Sequence, residues 1–118
     1  MKKIIFYSYL KCSTCRKAAN WLKSKDFEFQ LIDIVKEPPL VNYLNLALEQ
    51  YSNDQKKIFN TRGKAFKNLN LDIYGLSREE IIQLLLADGK LIKRPFLIYK
   101  GKKVILGFNE IEYAKQII

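Results

Sequence analysis

Two cysteines separated by two residues, Cys12 and Cys15, stand between an apolar run, Ile4-Ile5-Phe6-Tyr7, and a stretch where Cys15, Ala18, Ala19 and Leu22 recur at helical spacing. That order predicts a strand over residues 3–8, a short turn and a helix over 15–25, with Cys12 at the helix N-terminus. Unpaired amides and the positive end of the helix dipole both stabilise a thiolate there. These are the only cysteines in the chain, and Arg16-Lys17 follows them at once. In a reducing compartment a CxxC beside a strand–helix unit reads as a redox site rather than as two small buried apolar residues.

Histidine is absent from the sequence. That removes a Cys–His catalytic dyad and, with only two cysteines, an ordinary closed zinc site, so no metal is expected. Activation of a thiolate must come from backbone amides and from nearby lysine or arginine.

After the first helix, residues 27–34 alternate apolar and polar and predict a second strand, completing a βαβ unit with parallel strands. Pro38-Pro39 ends that unit. From Leu40 to about Asn68 the periodicity is helical: Leu40, Tyr43, Leu44, Ala47 and Leu48 form one apolar face. Ile58, Phe59, Ala65, Phe66, Leu69 and Leu71 make a second group, interrupted at Gly63. Ser77 with Glu80 predicts a capping box opening a helix that buries Ile81, Leu84 and Leu85, with Gly89 as its C-cap. Residues 97–99 and 104–106 predict an antiparallel hairpin turning at residues 100–103. Asn109 with Glu112 predicts the cap of a last helix that turns Ile111, Ala114 and Ile118 inward. The sum is an α/β chain, βαβ then ββα, with a mixed four-stranded sheet and a helical insert over about 40–90.

The chain has 118 residues, 48% apolar and 28% charged, which suits one domain over residues 1–118 with its own core. No apolar stretch approaches the twenty or so residues of a membrane span. The run after Met1-Lys2-Lys3 is short, is broken by Lys11 and lacks a small-residue cleavage site, so a cytoplasmic location is expected. The formal charge of +9 is scattered and no recognition motif accompanies it, so it does not argue for direct nucleic-acid binding. It suits an acidic protein partner or a small anionic substrate.

Two further features point toward Cys12. Arg94-Pro95 opens the strand after Lys93, and an arginine beside a thiol lowers its pKa and binds anions. Asn60-Thr61-Arg62-Gly63-Lys64 is a polar, basic turn that offers a second anion site.

The segment Tyr7 to Lys17 with Cys12, the Pro38-Pro39 break, residues 60–66, residues 91–95 and Gly107-Phe108-Asn109-Glu110 together carry a resemblance. Over essentially its whole length the chain resembles the ArsC-like group, which contains glutaredoxin-linked arsenate reductases and the Spx and MgsR transcriptional regulators. The resemblance implies a thioredoxin-like fold with Pro95 in cis against the CxxC. The CxxC spacing itself makes Cys12 the nucleophile and Cys15, within the first helical turn, the resolving thiol, an internal one that the reductases commonly lack; Arg94 is expected beside them, with Arg16, Arg62 and Pro95 at the anion-binding side. No bound cofactor is implied; glutathione, glutaredoxin or another thiol would serve as reductant. Of three oxyanion-holding arginines in the reductases, Arg94 matches one, while Asn60 and Gly107 stand at the other two positions. The regulators bind the C-terminal domain of the RNA polymerase α subunit; their contact glycine corresponds to Asp54, and their basic C-terminal extension is expected to be missing after Ile118.

Overall fold

Phe96 to Tyr99 is apolar at every position because the strand it forms is covered on both faces, which abolishes the usual alternation. The computed structural model describes residues 3–117. In order the elements are β1 (Ile4–Ser8), α1 (Ser13–Ser24), β2 (Gln30–Asp33), α2 (Val41–Gln50), α3 (Lys64–Leu69), α4 (Arg78–Ala87), β3 (Phe96–Tyr99), β4 (Lys103–Leu106) and α5 (Glu110–Gln116). Short 3₁₀ turns cover Gln55–Ile58, Ile73–Gly75 and Gly89–Leu91. The sheet order is β2-β1-β3-β4, with β1 and β2 parallel and the other pairs antiparallel. Among the described residues no helix is long and apolar enough to cross a membrane.

The pleat sends alternate side chains to opposite faces and so builds two cores. Ile4, Phe6, Leu97, Tyr99 and Ile105 meet Ala18, Trp21 and Leu22 of α1 and Tyr113 of α5. Tyr7, Phe96, Ile98 and Val104 meet Leu44, Ala47 and Leu48 of α2 and Ile81, Ile82 and Leu85 of α4. The helical insert thus covers one face, while α1 and α5 cover the other.

The local signals hold where a side chain enforces them. Ser77 and Glu80 form the full capping box, and Asn109 accepts the Glu112 amide. Lys100 and Gly101 take the positive φ values, 55° and 68°, that turn the hairpin. Five expectations are corrected. α1 begins at Ser13, two residues early, because Cys12 itself is the cap. The second strand is confined to Gln30–Asp33; it is an edge strand paired only with β1, and Phe29 leaves the pattern to set its ring edge-on to Phe6 at 5.4 Å. In α5 Ile111 is 66% exposed and Ala114 is exposed, while Tyr113 and Ile117 point inward; Ile118 lies outside the described residues. Tyr113 wins the inward position because its ring packs edge-on against Trp21 and Phe108 and its hydroxyl donates to the Gly107 carbonyl at 3.0 Å. In the insert, Leu40 and Leu71 are exposed, and Ile82 is buried where Leu84 was expected.

Gly89 is the fifth correction. Asp88 is the C-cap of α4, and Gly89 is required for a different reason: a Cβ there would overlap the carbonyl of Ile34. The insert therefore closes onto the end of the βαβ unit at a point where only a bare Cα fits.

One contact has no local signal. Gln50, at the end of α2, donates from Nε2 to the Val104 carbonyl at 2.8 Å and accepts the Val104 N–H on Oε1 at 2.6 Å. Gln50→Ala leaves both Val104 groups without these partners and is expected to lower unfolding stability by about 1–3 kcal/mol. Gly89→Ala should cost at least as much by overpacking. Urea denaturation of both variants measures this, and an unchanged midpoint in either would contradict the packing described.

Candidate active site

The chain reaches the site through strand register. β3 runs antiparallel to β1 with Phe96 opposite Tyr7, so Arg94-Pro95 arrives at the end of β1 from which the Cys12 loop departs. The Arg94-Pro95 peptide bond is cis, as the family resemblance implies, and the Pro95 carbonyl accepts the Gly107 amide at 2.9 Å. Residues far apart in sequence thus share one end of the sheet.

Cys12 occupies the N-cap of α1 in extended conformation, φ −93° and ψ 117°. Its amide donates to the Tyr9 carbonyl at 2.9 Å, and its Sγ accepts the Cys15 amide at 3.4 Å. The first turn of α1 carries no acidic residue of its own to compete for the positive end of the helix. Burial pushes the Cys12 thiol up, but hydrogen bonds from the Cys15 thiol and amide, and from the Arg94 guanidinium with its charge, outweigh it and hold the pKa below the ordinary value. Cys15 behaves oppositely. It is buried, and burial together with the neighbouring Cys12 pushes its thiol up to about 11, although hydrogen bonds from the Tyr9 backbone and Ser8 pull the other way. Both cysteines are free thiols, so the pair consists of one ionisable, partly exposed sulfur and one buried proton holder.

Arg94 is held from several sides. Its guanidinium carbon lies 5.0 Å from the centroid of the Tyr9 ring, and Nη1 donates to the Lys90 carbonyl at 3.4 Å. Its Nε is buried and has no hydrogen-bond partner among the described residues. The other predicted anion-binding residues are placed differently. Arg16 is exposed and donates to the Leu10 carbonyl at 2.8 Å, on the loop that leads to Cys12. Arg62 is exposed on the turn before α3, and among the described residues Arg94 is the arginine that acts on the Cys12 thiol. Asn60 donates its amide to the Leu91 carbonyl at 2.7 Å, and Gly107 takes φ 71°. The sequence reading missed Tyr9 as the platform under Arg94. An aromatic residue three positions before the CxxC is the only local hint, because its partner lies across the sheet.

The ArsC family model matches residues 7–116. The chain belongs to the ArsC family. It is 43% identical over 114 residues to the uncharacterised Bacillus subtilis protein YusI, covering 95% of this chain and 96% of that one. The regulatory protein MgsR of the same organism is 36% identical over 114 residues, with 97% and 90% covered. A crystal structure from Streptococcus mutans, described as a possible arsenate reductase, superposes with a TM-score of 0.86 at 40% identity, covering 92% of this chain and 93% of that one. The ArsC-family fold here is thioredoxin-like, as the resemblance implies.

At neutral pH iodoacetamide should modify Cys12 well ahead of Cys15, whose reaction rises only as the pH approaches about 11. Arg94→Met should move the Cys12 profile to higher pH, and Arg94→Lys should restore part of the shift. Mass-mapped alkylation across pH checks both, and equal reactivity of the two thiols would contradict the assignment.

Proposed function

We propose that this chain is a thiol–disulfide redox protein of the cytoplasm in which Cys12 attacks and Cys15 resolves. The observation that carries the reading is the opposite displacement of the two thiols, one lowered at a helix start and the other raised to about 11 beneath it. The Cys12 thiolate attacks a disulfide sulfur of the substrate, forming a mixed disulfide and releasing one substrate thiolate, which takes up a proton. Cys15 then loses its proton and attacks Cys12 Sγ, releasing the second substrate thiolate and leaving a Cys12–Cys15 disulfide. Two electrons pass to the substrate. Two equivalents of a low-molecular-weight thiol such as glutathione, or one glutaredoxin dithiol, return them. No bound cofactor takes part.

Arg94 has the chemistry to receive an anionic group of the substrate: a guanidinium beside the thiolate with a buried Nε–H that the protein leaves unsatisfied. Pro95 flanks that group, and Arg16 lies on the first turn of α1 with its guanidinium on the Leu10 carbonyl, whereas Arg62, exposed on the turn before α3, is not brought to the thiol. With Asn60 and Gly107 where the reductases carry arginines, the site has one matching guanidinium, too few for strong arsenate binding.

The 36% identity to MgsR favours a second reading, a redox-sensing regulator that contacts the C-terminal domain of the RNA polymerase α subunit. Asp54 weighs against it. Its carboxylate accepts the Tyr74 hydroxyl at 3.0 Å, and covering it with a partner costs the desolvation of a charge.

Cys12→Ser should abolish disulfide reduction, while Cys15→Ser should accumulate mixed disulfides visible by non-reducing mass spectrometry. An assay coupled to glutathione and glutaredoxin should show no arsenate-dependent turnover. Redox-dependent retention of this chain on immobilised polymerase α C-terminal domain, with no disulfide reductase activity, would transfer the conclusion to the regulator.

A further inference from the structure

A cavity of about 490 Å³ opens beside the 3₁₀ turn Gln55–Ile58, and neither Cys12 nor Arg94 is among its walls. Its apolar side is built by Tyr51, Phe59 and Leu106. Its walls also include three basic residues, Lys56, Lys57 and Lys93, against one acid, Asp54. Asp54 is engaged by the Tyr74 hydroxyl. None of the three lysines has a carboxylate within ion-pairing distance, since the one ion pair among the described residues joins Arg78 to Glu49.

These lysines are positioned by their surroundings. Lys56 Nζ lies 5.8 Å from the ring centroids of both Phe66 and Tyr74, so two aromatic faces hold it. Lys93 is anchored by its amide, which donates to the Ile58 carbonyl at 2.8 Å. Its stem passes over Gly107, with Cε 3.4 Å from where a Cβ would stand. A glycine at 107 leaves that stem its path; a larger residue would press on it. Thr61 adds a hydroxyl on the same wall.

Like charges around one cavity repel, and an anion between them reverses the sign of that term. Three cations against one acid leave an excess of two positive charges, which the roughly −2 charge of a phosphate monoester at neutral pH would balance. We propose that this cavity is a binding site for a small phosphate monoester with an aromatic or apolar body. The phosphate lies among Lys56, Lys57 and Lys93, with Thr61 donating, and the body rests on Phe59, Tyr51 and Leu106. Pockets of this volume, part apolar and part polar, suit ligands of that size. The site requires no step at Cys12.

Titration of the full chain with AMP, followed by amide chemical shifts, tests this, with adenosine and inorganic phosphate as separate arms. AMP should saturate and move the amides of Thr61, Lys57 and Lys93. Adenosine and inorganic phosphate should each bind about tenfold weaker or less, because each lacks one half of the recognition. Lys57→Met and Lys93→Met should each weaken AMP about tenfold, whereas Lys115→Met, which removes a charge from α5, should leave binding unchanged. Lys57 is exposed, so that variant remains informative even where Lys93→Met perturbs the fold. The proposal fails if AMP gives no saturable shift, if shifts centre on Cys12 and Arg94, if inorganic phosphate binds as tightly as AMP, or if Lys115→Met weakens binding equally. Cys12 alkylation in the same samples reports on the thiol reading separately.

Discussion

Most helices begin on an oxygen; α1 begins on a sulfur. The bond from the Cys15 amide to Cys12 Sγ satisfies one of the donors every helix start leaves open, and it is also one of the interactions that favour the thiolate. Nucleation of the helix and activation of the nucleophile are therefore a single interaction viewed from its two ends. The position of Cys15 follows from it. A residue three after the cap faces inward on the first turn, which buries its thiol beneath the first and keeps it protonated. Two cysteines three apart acquire opposite acidities in large part from where the helix begins, with Arg94 adding to the difference.

Sheet topology does the rest of the assembly. Because β3 is antiparallel to β1, its entry rather than its exit lies at the cysteine end, and the residue before the cis proline is carried toward Cys12. The Tyr9 ring and the Lys90 carbonyl then fix the Arg94 guanidinium between the βα loop and the turn that follows α4. The insert is thereby in contact with the thiol site, and not merely a cover for one face of the sheet.

Features carried by short-range physics were legible in the sequence. The CxxC between strand and helix, the Ser77–Glu80 capping box, the Asn109 cap and the hairpin at residues 100–103 each depend on neighbours within a few positions, and each is found. The sheet itself follows from periodicity plus the rule that parallel strands need a crossover. What escaped the sequence is decided at a distance. Ile111 is as apolar as Tyr113, but only the phenol reaches the Gly107 carbonyl while packing on Trp21 and Phe108. Gly89 carries a turn residue's signature, yet its need is set by a carbonyl of Ile34. For the site, the cysteines and Arg94 were visible as residue types in context, whereas the Tyr9 platform and the stem of Lys93 over Gly107 exist only once the strands pair.

The pairing of Gln50 with Val104 bears on how the molecule keeps to itself. β4 is an outer strand, and an outer strand offers its backbone to any chain that can extend the sheet. A single primary amide, held out by α2, imitates one residue of a fifth strand and occupies a donor and an acceptor midway along that margin. An intruding strand would have to displace a tethered competitor before it could form a continuous ladder. The helical insert thus leaves that margin of the sheet with fewer open backbone groups, an effect distinct from burying apolar surface and one that a single side chain can supply.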